Sequence, residues 1–163
     1  MVKEKGIEQA PTKDDLTNDI SKTVHFLLIE LNEKKYFISL SLINKIIHPL
    51  EIFPLPDTLN FIAGVMNYSG EIIPMVDLKK VLHLPELSHD YDKKFIICKY
   101  MNLKVGLIVD NVLDSLEIPT DLIKIDSARI QDSEFISGEC ILEKEVIEII
   151  DIVKFISTFK AAQ

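Results

Sequence analysis

Arginine occurs once in 163 residues, at Arg129, and the formal net charge is −8. Nucleic-acid binders concentrate lysine and arginine to meet phosphates, so this balance excludes nucleic acid as a partner. Cysteine is nearly as scarce. Cys98 and Cys140 lie far apart on apolar segments without C-x-x-C spacing, which points to buried free thiols in a reducing cytoplasm and away from a disulfide framework or a zinc site. No apolar run approaches the roughly 20 residues that span a bilayer. The first residues, MVKEKGIEQAPTKDDLTNDISKT, lack the apolar core of a signal peptide, so a cytoplasmic protein without membrane insertion is expected.

Catalytic patterns are missing too. The chain contains no G-x-G-x-x-G, no G-x-x-x-x-G-K-[ST], no G-x-S-x-G and no H-E-x-x-H. His25, His48, His83 and His89 are scattered and read as exposed or strand-edge side chains; His83 and His89 share a polar segment that offers no closed ligand set. No enzymatic activity, catalytic residue, cofactor or metal is expected.

What the chain does have is a repeat. Residues 61–82, FIAGVMNYSGEIIPMVDLKKVL, align without a gap on residues 135–156, FISGECILEKEVIEIIDIVKFI, at an offset of 135 − 61 = 74. Phe61, Ile62, Gly64, Glu71, Ile73, Asp77 and Lys80 recur as Phe135, Ile136, Gly138, Glu145, Ile147, Asp151 and Lys154. Upstream, residues 95–100 and 104–109 match residues 26–31 and 35–40 at an offset of 95 − 26 = 69. A five-residue insertion in the connector accounts for the change of offset, and loops absorb such insertions readily. Two related halves follow.

Residues 1–22 are polar and charged, with too little apolar surface to offset the entropy of ordering, and are expected to form a mobile tail. The runs VHFLLIEL and KYFISL flank Asn32-Glu33-Lys34 as a hairpin would. LSLINKII starts at near-helical spacing and meets Pro49, which predicts one helical turn running into a strand. Pro54 and Pro56 stiffen the next connector. Asn67-Tyr68-Ser69-Gly70 reads as the turn of a second hairpin, and Pro74 places its strand at an edge or at an unpaired donor position.

Asp77 and Asp151 occupy equivalent repeat positions and could suggest a paired acid and base. Each opens an amphipathic stretch rather than a D-[ST]-G turn, so helix capping is the reading adopted. The fold class expected is all-β with a few short helices: two five-stranded β-barrels and a short C-terminal helix. Lobe one is expected at about 23–83, a link at 84–94, and lobe two at about 95–156. Their interiors should draw on Leu27, Ile29, Phe37, Ile38, Ile73, Met75, Ile96, Leu107, Val109, Ile147 and Ile149.

Several motifs together resemble the CheW-like family of chemotaxis coupling proteins, from Val24 to Ile156. Ile43-Asn44-Lys45-Ile46 is similar to the family's V-x-E-[VI], and Gly64-Val65-Met66-Asn67-Tyr68-Ser69-Gly70 to G-V-x-N-L-R-G. Ile73 to Leu78 is similar to [IV]-P-[IV]-[IV]-D-L, and Val105 to Val112 to V-G-[IL]-x-V-D-x-V. The resemblance implies a fold of two SH3-like lobes and a single CheW-like domain over 23–163. It implies a non-catalytic adaptor at membrane-associated receptor arrays. Its partners would be the regulatory domain of a CheA-type histidine kinase, met chiefly by the first lobe, and a chemoreceptor's cytoplasmic helical hairpin, met by the cleft between lobes. Ile43, Lys45, Gly64, Asn67, Ser69 and Val112 are the partner-binding positions it implies. Gly64→Asp is expected to weaken receptor association while preserving the fold.

Lys45 stands where the motif has glutamate and Ser69 where it has arginine. The two departures are expected to be linked, since a lysine facing an arginine would repel, and the link requires both residues on one surface. The alternatives are a divergent coupler for a non-flagellar motility array, a non-activating competitor, or a small β-barrel peptide-binding module of another class.

Overall fold

The structure is a computed structural model that describes residues 22–87, 92–125 and 134–162. The expected tail, except Lys22, lies outside the described residues. Among the described residues eleven strands form two sheets: β1 (Thr23–Leu31), β2 (Lys34–Ser39), β3 (Ile43–Ile47), β4 (Ile62–Tyr68), β5 (Glu71–Asp77), β6 (Lys94–Tyr100), β7 (Leu103–Val109), β8 (Asn111–Pro119), β9 (Ile123–Lys124), β10 (Ile136–Leu142) and β11 (Glu145–Ile150). Helix α1 (Leu78–Val81) follows β5 and α2 (Ile152–Ala162) follows β11. The predicted helical turn before β3 is a 3-10 turn at Leu40–Leu42.

The sheets do not divide where the repeat does. One lobe has strand order β8-β1-β2-β11-β10-β9, the other β3-β6-β7-β5-β4. The expected sequential lobes, 23–83 and 95–156, are therefore corrected: each lobe takes one hairpin from one half and the remaining strands from the other. The exchange is reciprocal. Ile43 pairs with Cys98 and Val112 with Ile29; Met75 pairs in parallel with Gly106 and Ile149 with Phe37. The 3-10 turn after β2 and the corner at Asp110 after β7 carry the chain from one lobe to the other. One lobe has six strands rather than five because β9 pairs over two residues, where its counterpart is the single bridge Phe53↔Val65.

This exchange explains why VHFLLIEL and FIICKY are apolar on both faces. Strands buried on both sides read as continuous apolar runs. On β1, Phe26 and Leu28 fill the six-stranded lobe, while Leu27, Ile29 and Leu31 face the core between the sheets. That central core takes Ile96, Val105, Leu107 and Val109 from the other lobe, whose own interior holds Met66, Ile73, Met75, Phe95 and Ile97. All the residues expected inside are buried, but Leu27, Ile29, Ile38, Ile96, Leu107 and Val109 sit between the lobes rather than within them. Helix α2 closes the seam. Phe155 is 1% exposed and takes the edges of the repeat-equivalent Phe61 and Phe135, at centroid distances of 5.3 and 5.4 Å. Burying such a ring contributes about 1.5–3 kcal/mol.

The repeat recurs in polar contacts. Asp77 caps α1 by accepting from the Lys79 N–H at 3.1 Å, and Asp151 caps α2 by accepting from the Lys154 N–H at 2.9 Å. Each cap is worth about 1 kcal/mol. Lys35 meets Glu145 at 3.0 Å and its equivalent Lys104 meets Glu71 at 2.8 Å, both across an exchanged edge. Pro74 sits on an interior strand opposite Val65, whose N–H and carbonyl both bond to Phe53, and one residue before the parallel ladder to β7 begins at Met75, so its missing N–H leaves no acceptor on either neighbour unpaired.

Candidate partner-binding surface

Strands β3 and β4 are the two ends of the five-stranded sheet, and sheet curvature brings them together. Lys45, exposed on β3, places its ammonium 5.3 Å from the ring centroid of Tyr68 at the end of β4 and 3.5 Å from the Tyr68 hydroxyl. A cation over an exposed aromatic face is worth about 0.5–1 kcal/mol. Tyr68 directly precedes Ser69, so Lys45 and the Ser69 turn share one rim, as the linked departures require.

Ser69 and Gly70 form a two-residue hairpin loop with φ of +51° and +87°. Such a turn needs two left-handed residues, which glycine and short polar residues supply at least cost. Asn67 holds the loop: its Oδ1 accepts from the Gly70 N–H at 2.9 Å. Lys45, Asn67 and Ser69 are all exposed, and Lys45 reaches the strand end at Tyr68 from which the Ser69 turn leaves. Ile43 and Val112 stand apart from them, on different sheets, each half-buried against the central core.

Gly64 is buried in β4 at a register shift, with φ +144°. The Phe53 carbonyl oxygen would lie 2.3 Å from a β-carbon there. The expectation that Gly64→Asp preserves the fold is overturned, because the Phe53 backbone, held by reciprocal hydrogen bonds to Val65, occupies the space a side chain needs.

Two further features were missed in the sequence. The first is a buried polar cluster where the halves meet. Asp110, 2% exposed, accepts from the Asn32 N–H at 2.7 Å through Oδ2, and its Oδ1 forms an ion pair with Lys79 Nζ at 2.7 Å. Asn32 Nδ2 donates to the Pro85 carbonyl at 2.7 Å. Four segments are tied at one place: the β1–β2 turn, α1, the start of the link, and the corner between β7 and β8.

The second is a groove of about 880 Å³ on the five-stranded lobe, lined by Leu55, Leu59, Ile72, Lys99, Lys104 and Phe159 among others. Leu55 and Leu59 are 45% exposed and Ile72 is 60% exposed. The available signal was Ile72, an apolar residue at an outward position of an alternating strand.

The Cys98 thiol is pushed up to about 12 by burial, and burial also raises Cys140. Neither is a thiolate at neutral pH. Among the described residues no cluster of three His, Cys, Asp or Glu could hold a metal, and no helix is long and apolar enough to cross a membrane.

The sequence pattern of the CheW-like domain matches residues 25–160. The chain belongs to the CheW-like family. It is 29% identical over 138 residues to the chemotaxis protein CheW of Bacillus subtilis, covering 83% of this chain and 88% of that protein. Against the chemotaxis protein CheW of Thermotoga maritima the identity is 32% over 100 residues, with 61% and 66% covered. The crystal structure of the scaffolding protein TtCheW from Thermoanaerobacter tengcongensis superposes with a TM-score of 0.72 at 28% identity, covering 78% of this chain and 88% of that one. This CheW-like chain is accordingly a non-catalytic adaptor of chemotaxis signalling, built as two β-sheet lobes with short helices.

Proposed function

We propose that the chain holds the regulatory domain of a CheA-type histidine kinase and the cytoplasmic helical hairpin of a chemoreceptor together, in arrays on the cytoplasmic side of the membrane. The observation that carries this reading is the CheW-like match across residues 25–160, which spans both lobes and every motif position. Lys45, Asn67 and Ser69 supply exposed polar positions and Ile43, apart from them on the same sheet, a half-buried apolar one; in such a surface apolar contact gives affinity and polar positions fix orientation. Val112 takes the corresponding place on the other lobe.

The test is titration of the purified protein with each partner fragment from the same organism. Binding to both supports the function, and binding to neither overturns it. Lys45 on Tyr68 favours a second reading, a coupler that occupies the array without activating the kinase, because a cation replaces the motif's anion at that rim. Kinase autophosphorylation in reconstituted arrays separates the two: a standard coupler raises it, a non-activating one lowers it in competition.

A further inference from the structure

Lys99 and Lys104 face each other directly across β6 and β7, and both line the groove on the five-stranded lobe. Like charges at directly opposed positions destabilise a sheet. The other half of the chain solves the same position differently. At the repeat offset of 69, Lys99 corresponds to Glu30 and Lys104 to Lys35, and Glu30 pairs directly opposite Lys35 on β1 and β2. Lys104 is satisfied by Glu71 as Lys35 is by Glu145. Among the described residues no ion pair holds Lys99, which stands exposed at the rim of an apolar groove, in a chain whose net charge is −8. Folding alone favours glutamate at this position.

We propose that Lys99 determines partner specificity: it receives a carboxylate from an acidic amphipathic helix whose apolar stripe lies on Leu55, Leu59, Ile72 and Phe159. This rests on the coupling function above, under which the helix belongs to the receptor hairpin. The groove offers apolar contact along its floor, and of its charged lining residues Asp57, Glu71, Lys99 and Lys104 only Lys104 and Glu71 pair with each other, which leaves Lys99 as the open cation at its edge among the described residues; together these select a helix with a carboxylate flanking its apolar face. The side chain stem of Lys99 adds apolar contact, and its ammonium rejects helices with lysine or arginine at the same place.

The experiment compares the full chain with Lys99→Glu and Lys99→Met in two measurements, thermal unfolding and affinity for the receptor's cytoplasmic hairpin by calorimetry at low and at physiological salt. Lys99→Glu copies the arrangement of the other half, so its Tm is expected to rise by about 1–3 °C. Its affinity for the hairpin is expected to fall about tenfold, and that of Lys99→Met about threefold, with the difference shrinking as salt is added. If Lys99→Glu binds the hairpin as tightly as the unmodified protein, the inference is overturned while the coupling function stands. A fall in Tm for Lys99→Glu overturns the argument that Lys99 is held against folding. Failure of the unmodified protein to bind the hairpin at all removes the coupling function itself, and this inference with it.

Discussion

A β-carbon on Gly64 would lie 2.3 Å from the carbonyl oxygen of Phe53, so the connector passes through the space a side chain would take. The same approach recurs at Gly138, where the Lys124 carbonyl oxygen would lie 2.8 Å away. Gly64 alone has the additional constraint of φ +144°. Gly64→Ala should therefore cost about 2–4 kcal/mol, and Gly138→Ala less. Thermal unfolding measures both, with an expected fall in Tm of about 5–15 °C for Gly64→Ala. Equal small shifts at the two sites would show that the connectors yield and that the backbone approach is soft.

The reciprocal pairing of β1 with β8 and of β3 with β6 means that neither half contains a complete sheet. Fragments 1–88 and 89–163 should each lack cooperative unfolding, since each would expose the apolar faces that the other covers. Mixed or co-expressed, they should associate and recover the circular dichroism and unfolding transition of the intact protein. A fragment 1–88 that unfolds cooperatively by itself would contradict the exchanged topology.

The strands, their turns and the buried set were legible in the sequence because they depend on short-range patterns. Alternation, the Asn67 to Gly70 turn chemistry and the two capping aspartates each act over a few residues. The exchange of strands was not legible. Gly64 and Gly138, or Lys35 with Glu145 and Lys104 with Glu71, recur at fixed offsets whether the pairs form within a half or between halves. The repeat reveals equivalence and is silent on partner choice. Continuous apolar runs such as FIIC did carry a hint, since a free-standing barrel would leave one face of each strand wet, and here the second face is covered by the other lobe. Of the candidate site, the exposed rim of Lys45, Asn67 and Ser69 was marked by motif position. The groove was not, because Leu55, Phe159 and Lys99 are far apart in sequence and meet only through the exchanged sheet.

Asp110 and Lys79 form an ion pair whose carboxylate side chain is 1% exposed and whose lysine is 12% exposed. Removing one member of such a pair strands the other charge out of water, at a cost of about 3–5 kcal/mol, whereas removing both is far milder. Lys79→Met should lower the urea midpoint strongly, and adding Asp110→Asn should restore much of the loss, because a neutral amide keeps an oxygen for the Asn32 N–H. Additive losses in the double variant would mean that the two residues stabilise the junction independently.

Cys98 lies in the central core, and burial pushes its thiol from an ordinary 9.0 up to about 12. An unfolded chain would ionise this group near 9, while the folded chain keeps it protonated until about 12. The folded state thus binds more protons across that window, so its stability is fully present below the lower value and is lost as pH rises through the window. The slope approaches about 1.4 kcal/mol per pH unit at most. Tyr36, raised by burial, acts in the same direction. So does Lys34, for which burial, the largest single influence, opposes the charge but the hydrogen bond to Glu148 and the attractions of Tyr36 and Glu148 together outweigh it. The informative quantity is therefore the difference between the unmodified protein and Cys98→Val, followed by chemical denaturation from pH 8 to 11. Cys98→Val should flatten the alkaline loss, and in the unmodified protein iodoacetamide should label Cys98 only as fast as the native state opens. Rapid labelling of Cys98 at neutral pH in the folded protein would show that the core between the lobes admits solvent.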